Sequence, residues 1–106
     1  MFVFVIKNIR ERKNLTIYKL SKDTNLSRTY LRNLENNKTF NPTMLVLEKI
    51  ARVLNVSIKQ LFYSLDEIEP LRKEMYRRID IYGLGSKEVM EISQIIDLLV
   101  NVKLKD

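Results

Sequence analysis

Leu26-Ser27-Arg28-Thr29-Tyr30-Leu31-Arg32-Asn33-Leu34-Glu35-Asn36-Asn37 decides how the rest of the chain is read. Ser27 can cap a helix that runs to Asn36. At about 100° per residue, Leu31 and Leu34 fall on one side of that helix. Arg28, Thr29, Arg32, Asn33 and Asn36 share an arc of roughly 140° on the other. Every residue in the arc can donate hydrogen bonds, and none is acidic. Solvated helix faces usually mix Glu with Lys to gain i,i+4 pairs. Here the one acid, Glu35, points toward the leucines. Arginine can donate two bonds to guanine O6 and N7, asparagine can pair with adenine N6 and N7, and threonine can offer its methyl to thymine. The arc suits base edges in a DNA major groove.

The flanking sequence supplies a scaffold for such a helix. Thr16 can cap a preceding helix that turns Leu20 inward. The connection Asp23-Thr24-Asn25-Leu26 has the length of a helix-turn-helix corner. Upstream, Val5, Ile6 and Ile9 precede the charged Arg10-Glu11-Arg12-Lys13, as in a first helix. Downstream, Thr43 can cap a fourth helix carrying Met44, Leu47, Ile50, Ala51 and Leu54, and Ser57 a short fifth with Ile58, Leu61 and Phe62. The apolar opening Met1-Phe2-Val3-Phe4-Val5-Ile6 stops at Lys7. It lacks the basic leader and long apolar run of a signal peptide and is too short for a membrane span. It reads as the buried lead-in to the first helix; the alternative is a short strand or arm that pairs with a second copy.

Composition narrows the classes further. The chain has 106 residues, 45% of them hydrophobic, with neither cysteine nor histidine. Disulfide frameworks, the usual zinc sites and Cys/His or Ser/His catalysis are therefore excluded, and no metal or cofactor is expected. A reducing cytoplasm fits. With two glycines and two prolines, folds rich in tight turns are disfavoured. The net charge of +6 is unevenly spread: residues 1–63 hold twelve Lys/Arg against four Asp/Glu, residues 64–106 seven against nine. A basic front half suits a polyanion, and the back half does not.

The back half has its own pattern. Asp66-Glu67-Ile68-Glu69-Pro70 places acids and a proline where a helix dipole favours them. Ile68, Leu71, Met75 and Ile79 form one apolar stripe. Gly83-Leu84-Gly85 breaks the helix, Ser86 caps the next, and Val89, Ile92, Ile95, Ile96 and Leu99 form a second stripe. The expected fold is all-α: a helix-turn-helix domain over residues 1–63, then a two-helix hairpin over residues 64–106. About forty residues bury little surface alone. The hairpin is therefore expected to pack on the front domain, on a second copy or on another protein, and its two stripes are read as a dimer or partner interface.

Residues 5–62 resemble the helix-turn-helix domain of phage Cro and repressor proteins and their bacterial relatives. The resemblance rests on Ile9-Arg10, Leu15-Thr16, Leu20, Leu26-Ser27, Tyr30-Leu31, Leu34-Glu35-Asn36, Pro42, Leu47, Ile50-Ala51, Leu54-Asn55-Val56 and Leu61. It implies a five-helix domain whose third helix enters the major groove of an operator. It implies base reading by Arg28, Thr29, Arg32 and Asn33, with Ser27 and Tyr30 at the edge of the site. Thr16, Asn36 and Lys38 match backbone-contacting positions, and Arg10 and Glu35 match a structural ion pair. Ile17 stands where the family often has a DNA-contacting glutamine. Asn37 stands where it often has glycine, and asparagine is the next best residue for positive φ.

A second resemblance covers about residues 66–103. Leu71-Arg72-Lys73-Glu74-Met75, Tyr82-Gly83-Leu84 and Ser93-Gln94-Ile95-Ile96-Asp97 resemble the sporulation-control phosphatases of the stage-zero E type, helical hairpins that dephosphorylate a response regulator. Their signature Ser-Gln-Glu-Leu-Asp is matched at Ser93, Gln94 and Asp97, with Ile95 in place of glutamate. It implies that Gln94 could orient a water and Asp97 polarise it beside a partner's acyl phosphate. The leading expectation is a cytoplasmic transcription regulator, a repressor that binds DNA as a homodimer and answers to a partner protein, not an enzyme. The alternative is a phosphatase or response-regulator-binding protein acting through the hairpin.

Overall fold

The computed structural model describes residues 2–38 and 42–105, so Met1 of the apolar opening lies outside the described residues. The element order is β1 (Phe2–Phe4), α1 (Ile6–Arg12), α2 (Ile17–Thr24), α3 (Arg28–Glu35), α4 (Met44–Leu54), a 3-10 turn (Ile58–Leu61), β2 (Phe62–Ser64), a second 3-10 turn (Leu65–Glu67), α5 (Ile68–Tyr82) and α6 (Lys87–Lys105). By its contacts the chain divides into two compact units. One is Phe4–Tyr63; the other is the chain from Ser64 onward with Phe2 and Val3.

Local chemistry explains where the helices of the first unit start and stop. The hydroxyls of Thr16, Ser27 and Thr43 accept the N–H groups of Lys19, Tyr30 and Val46 at 3.0, 3.0 and 3.2 Å. Each satisfies a donor that a helix start leaves without an internal partner. Helix exits are made by asparagines: Asn14, Asn25, Asn37 and Asn55 all have φ between 57° and 61°. Asparagine visits this left-handed region more cheaply than other residues bearing a β-carbon. That is how a chain so poor in glycine ends its helices.

The core of this unit is built from the expected leucine and isoleucine positions. Leu20, Leu31, Leu34, Ile50, Leu54 and Leu61 are completely buried, each worth about 1.5–3 kcal/mol of apolar transfer. The corner between α2 and α3 is fixed by polar bonds. Thr24 is buried, donates to the Leu20 carbonyl at 2.6 Å and accepts the Leu26 N–H at 3.3 Å. The Ser21 hydroxyl donates to the Leu26 carbonyl. Because α2 extends through Thr24, the corner is tighter than the four-residue connection expected.

Two expectations are corrected here. The fifth helix is a single 3-10 turn, closed by a box in which the Ser57 N–H donates to the Gln60 side chain at 2.8 Å. The apolar opening is buried at Val3, Phe4 and Val5 as a lead-in should be, but it is a strand paired with β2 of its own chain. The Val5 N–H donates to the Leu61 carbonyl at 2.9 Å, and the Phe4 and Phe62 rings meet edge to face at 5.9 Å. Phe4 turns its own backbone groups to the opposite edge. There its N–H donates to Asn37 Oδ1 at 2.7 Å, and Asn37 Nδ2 donates to the Phe4 carbonyl at 3.3 Å. One side-chain amide thus occupies the backbone groups with which another strand would pair at Phe4. It also disfavours the reading of this run as an arm for a second copy.

The second unit is the expected helical hairpin. Ser64 opens it with a capping box: the Asp66 N–H donates to its hydroxyl and its own N–H donates to Glu67 at 2.6 Å. Gly83, at φ 91°, ends α5, and Ser86 caps α6 by accepting the Val89 N–H at 3.3 Å. Arg78 of α5 ties the pair together by donating to the Glu88 carbonyl at 2.9 Å. Val89, Ile92, Ile95, Ile96 and Leu99 are buried, as is Ile68, while Leu71, Met75 and Ile79 are half-buried.

Candidate nucleic-acid interface

Helix α3 carries the candidate site, and its two sides differ sharply. Leu31 and Leu34 are fully buried. Arg28, Thr29, Arg32, Asn33 and Asn36 are all exposed, Ser27 is exposed at the helix start, and Tyr30 is half-buried beside it. The leucines anchor the helix to the core, and the donor-bearing side chains face solvent as one ridge. The Lys38 N–H donates to the Asn33 carbonyl at 2.7 Å, which folds the chain back at the end of α3 and leaves the lysine side chain exposed. Thr16 is exposed at the start of α2.

The one acid of α3 is withdrawn from the ridge. Glu35 accepts Arg10 Nε at 2.7 Å and Nη2 at 3.2 Å, and Arg10 Nη1 also donates to the Leu15 carbonyl at 2.8 Å. The two side chains retain only 12% and 5% exposure. The bond to Glu35 raises the Arg10 pKa still further above its ordinary value, against the opposing cost of burial. Electrostatically, Arg10 cancels Glu35 before it can repel a polyanion. Mechanically, the bidentate pair ties α1 to α3.

Two contacts of this region were not visible in the sequence. Tyr18 is 59% exposed on α2, and the Arg28 guanidinium lies 5.7 Å from its ring centroid. A helical projection sets Tyr18 about 200° from buried Leu20, which predicts exposure but not what the ring meets. The Asn37 amide makes the second; its signal was the tolerance for positive φ, which does not reveal a bond to Phe4. Ile17, at the position of the family's glutamine, is half-buried.

The sequence profile described as "Helix-turn-helix" matches residues 6–61, more than half of the chain. The chain belongs to the helix-turn-helix family. Family relatives include the HTH-type transcriptional regulator SinR of Bacillus licheniformis, 34% identical over 64 residues, and that of Bacillus subtilis strain 168, 33% identical over 64. In each case the match covers 60% of this chain and 58% of the relative, so less than two thirds of either relative is spanned. A solved structure titled "SinR protein/SinI protein complex" matches at 28% identity with a TM-score of 0.52, covering 94% of this chain and 92% of that one. A second profile, "Spo0E like sporulation regulatory protein", matches residues 65–102.

In the hairpin, Lys87, Met90, Gln94, Asp97, Asn101 and Leu104 are all exposed, at alternating spacings of three and four that place them on one face of α6. Gln94 and Asp97 therefore share an open face, and Ser93 is half-buried beside it. Ile95, where the phosphatase signature has glutamate, is buried. The apolar residues left in the open are Tyr76, Ile81, Tyr82, Leu84, Met90 and Leu104, each more than half exposed. The α6 stripe expected to form an interface is instead already buried within the single chain. Among the described residues no group of His, Cys, Asp and Glu is placed to hold a metal, and no helix is long and apolar enough to cross a membrane.

Proposed function

We propose that this chain is a sequence-specific DNA-binding transcription regulator, a cytoplasmic repressor that acts as a dimer, and not an enzyme. The observation that carries the reading is the exposed, acid-free ridge of α3. Arg28, Thr29, Arg32 and Asn33 read base edges in the major groove. Thr16, Ser27, Tyr30, Asn36 and Lys38 contact the backbone, where they set register without reading sequence. Arg10 and Glu35 are scaffold. The SinR relatives support the class, since both are named as transcriptional regulators.

A lone domain of this size makes few phosphate contacts, so its affinity at physiological salt is low. Two copies on half-sites a turn of DNA apart gain effective concentration. The hairpin supplies the self-association, through the apolar side chains around its corner that remain outside, such as Tyr82, Leu84 and Met90. The structural neighbour contains two proteins, which supports a regulatory partner that competes for the same hairpin.

A second reading keeps the hairpin as a response-regulator-binding element with phosphatase activity. It is favoured by the Spo0E-like match and by the shared exposure of Gln94 and Asp97. The buried Ile95 counts against it, because the carboxylate of the signature is replaced by packing.

Selection of bound sequences from random duplex DNA, followed by the salt dependence of binding to the winner, tests the first reading. A palindromic motif, lost in an Arg32→Ala/Asn33→Ala variant, and a steep salt slope are expected. Uniform weak binding to every duplex, with Asp97-dependent loss of phosphate from a labelled response regulator, would establish the second instead.

A further inference from the structure

We infer that Tyr18 is a specificity-determining residue of the interface, whose ring holds the Arg28 guanidinium ready for a single base pair. The inference rests on the proposed base-reading role of α3. Tyr18 does not serve the core: the buried positions of α2 are Leu20 and Thr24, and Tyr18 as a residue is 59% exposed. Its neighbour is the exposed first residue of α3, with the guanidinium carbon 5.7 Å from the ring centroid. That is within the range of a cation–π attraction.

The choice of an aromatic partner over an acidic one has a chemical consequence. Among the described residues no carboxylate pairs with Arg28, and the acid of α2, Asp23, is taken by Lys19 at 3.3 Å. A carboxylate would occupy the N–H donors and add a negative charge where DNA must approach. A ring face attracts the cation through its quadrupole, adds no charge, and leaves the fork of donors able to meet guanine O6 and N7. An arginine free in solvent samples many rotamers and loses that freedom on binding; one already held loses less. Tyr18 therefore acts through Arg28, as a positioning residue, and its influence is confined to the base pair that Arg28 reads.

The test uses the full chain carrying Tyr18→Ala, Tyr18→Phe or Arg28→Ala, or both alanines together. Binding is measured to the selected duplex and to a set in which each base pair is replaced in turn. Arg28→Ala is expected to flatten preference at one base pair. Tyr18→Ala is expected to weaken binding to the preferred site by roughly fivefold and to blunt the same position alone. Tyr18→Phe keeps both properties, and Tyr18→Ala adds nothing once Arg28 is gone. Circular dichroism confirms that each exposed-site variant is folded. The inference is overturned if Tyr18→Ala retains the wild-type preference profile while Arg28→Ala loses it. It is overturned equally if Tyr18→Phe is as damaging as Tyr18→Ala, which would assign the effect to the hydroxyl. A profile unchanged by Arg28→Ala would remove the base-reading role of Arg28 itself, and the inference with it.

Discussion

Arg10 grips both carboxylate oxygens of Glu35, at 2.7 and 3.2 Å, from a site where the two side chains are 12% and 5% exposed. Removing one partner leaves the other charge unpaired in a largely enclosed site. Arg10→Ala should lower unfolding stability by about 3–5 kcal/mol, read from the urea midpoint. The double change Arg10→Met/Glu35→Leu should recover much of the loss, because no stranded charge remains. If Arg10→Ala unfolds at the wild-type midpoint, the pair is not a structural tie.

Asn37 has two jobs that can be separated by substitution. Its φ of 57° disfavours most side chains, and its amide makes the two bonds to Phe4. Asn37→Gly keeps the turn and loses only the amide, at a cost of about 1 kcal/mol. Asn37→Ala loses the amide and adds about 1–2 kcal/mol of left-handed strain. Chemical denaturation should rank asparagine above glycine above alanine. Equal stability of the glycine and alanine variants would contradict the assigned backbone role.

These two residues show what could and could not be seen in the chain itself. Capping is local chemistry, so Thr16, Ser27, Thr43 and Ser86 announced their helices in sequence, Ser57 announced only a 3-10 turn, and the apolar spacing named Leu31 and Leu34 as inward. The β pair was hidden because Phe2–Phe4 and Phe62–Ser64 are three residues each, too short to show alternation. What identifies them is each other, from distant parts of the chain. Tyr18 escaped for the same reason: its partner is brought to it only by folding. On α6 the periodicity revealed an apolar face but not what covers it, so an internal seam was read as an open interface.

That distinction yields a prediction for the hairpin. Ile92 is 2% exposed and Leu84 75%. Ile92→Asp should disrupt the hairpin itself, with lost helicity at every protein concentration. Leu84→Asp should leave helicity intact and reduce self-association, as measured by sedimentation equilibrium. Full helicity in the Ile92→Asp variant would show that the seam can open to solvent, and an unchanged dimer in the Leu84→Asp variant would remove the corner from the interface.

Glu74 accepts Arg77 Nη2 at 2.6 Å and Arg78 Nε at 3.2 Å, and chiefly the Arg77 bond holds its pKa down at about 2, against an ordinary 4.5. A carboxylate depressed on folding contributes stability that is fully present above its unfolded pKa and is lost as pH falls through the folded one. The hairpin should therefore lose this contribution between about pH 4.5 and pH 2. Glu74→Gln should make its stability less sensitive to acid in that window. A Glu74 carboxyl resonance that titrates near 4.5 would contradict the pairing.

The central claim is that the α3 ridge meets base edges in the major groove. The most direct check replaces each guanine of the selected duplex in turn by 7-deazaguanine, which removes the N7 acceptor from the major groove while keeping Watson–Crick pairing. Binding should weaken at one or two guanines per half-site, and the Arg32→Ala or Arg28→Ala protein should no longer distinguish the modified base there. Wild-type affinity for every substituted duplex would contradict the claim.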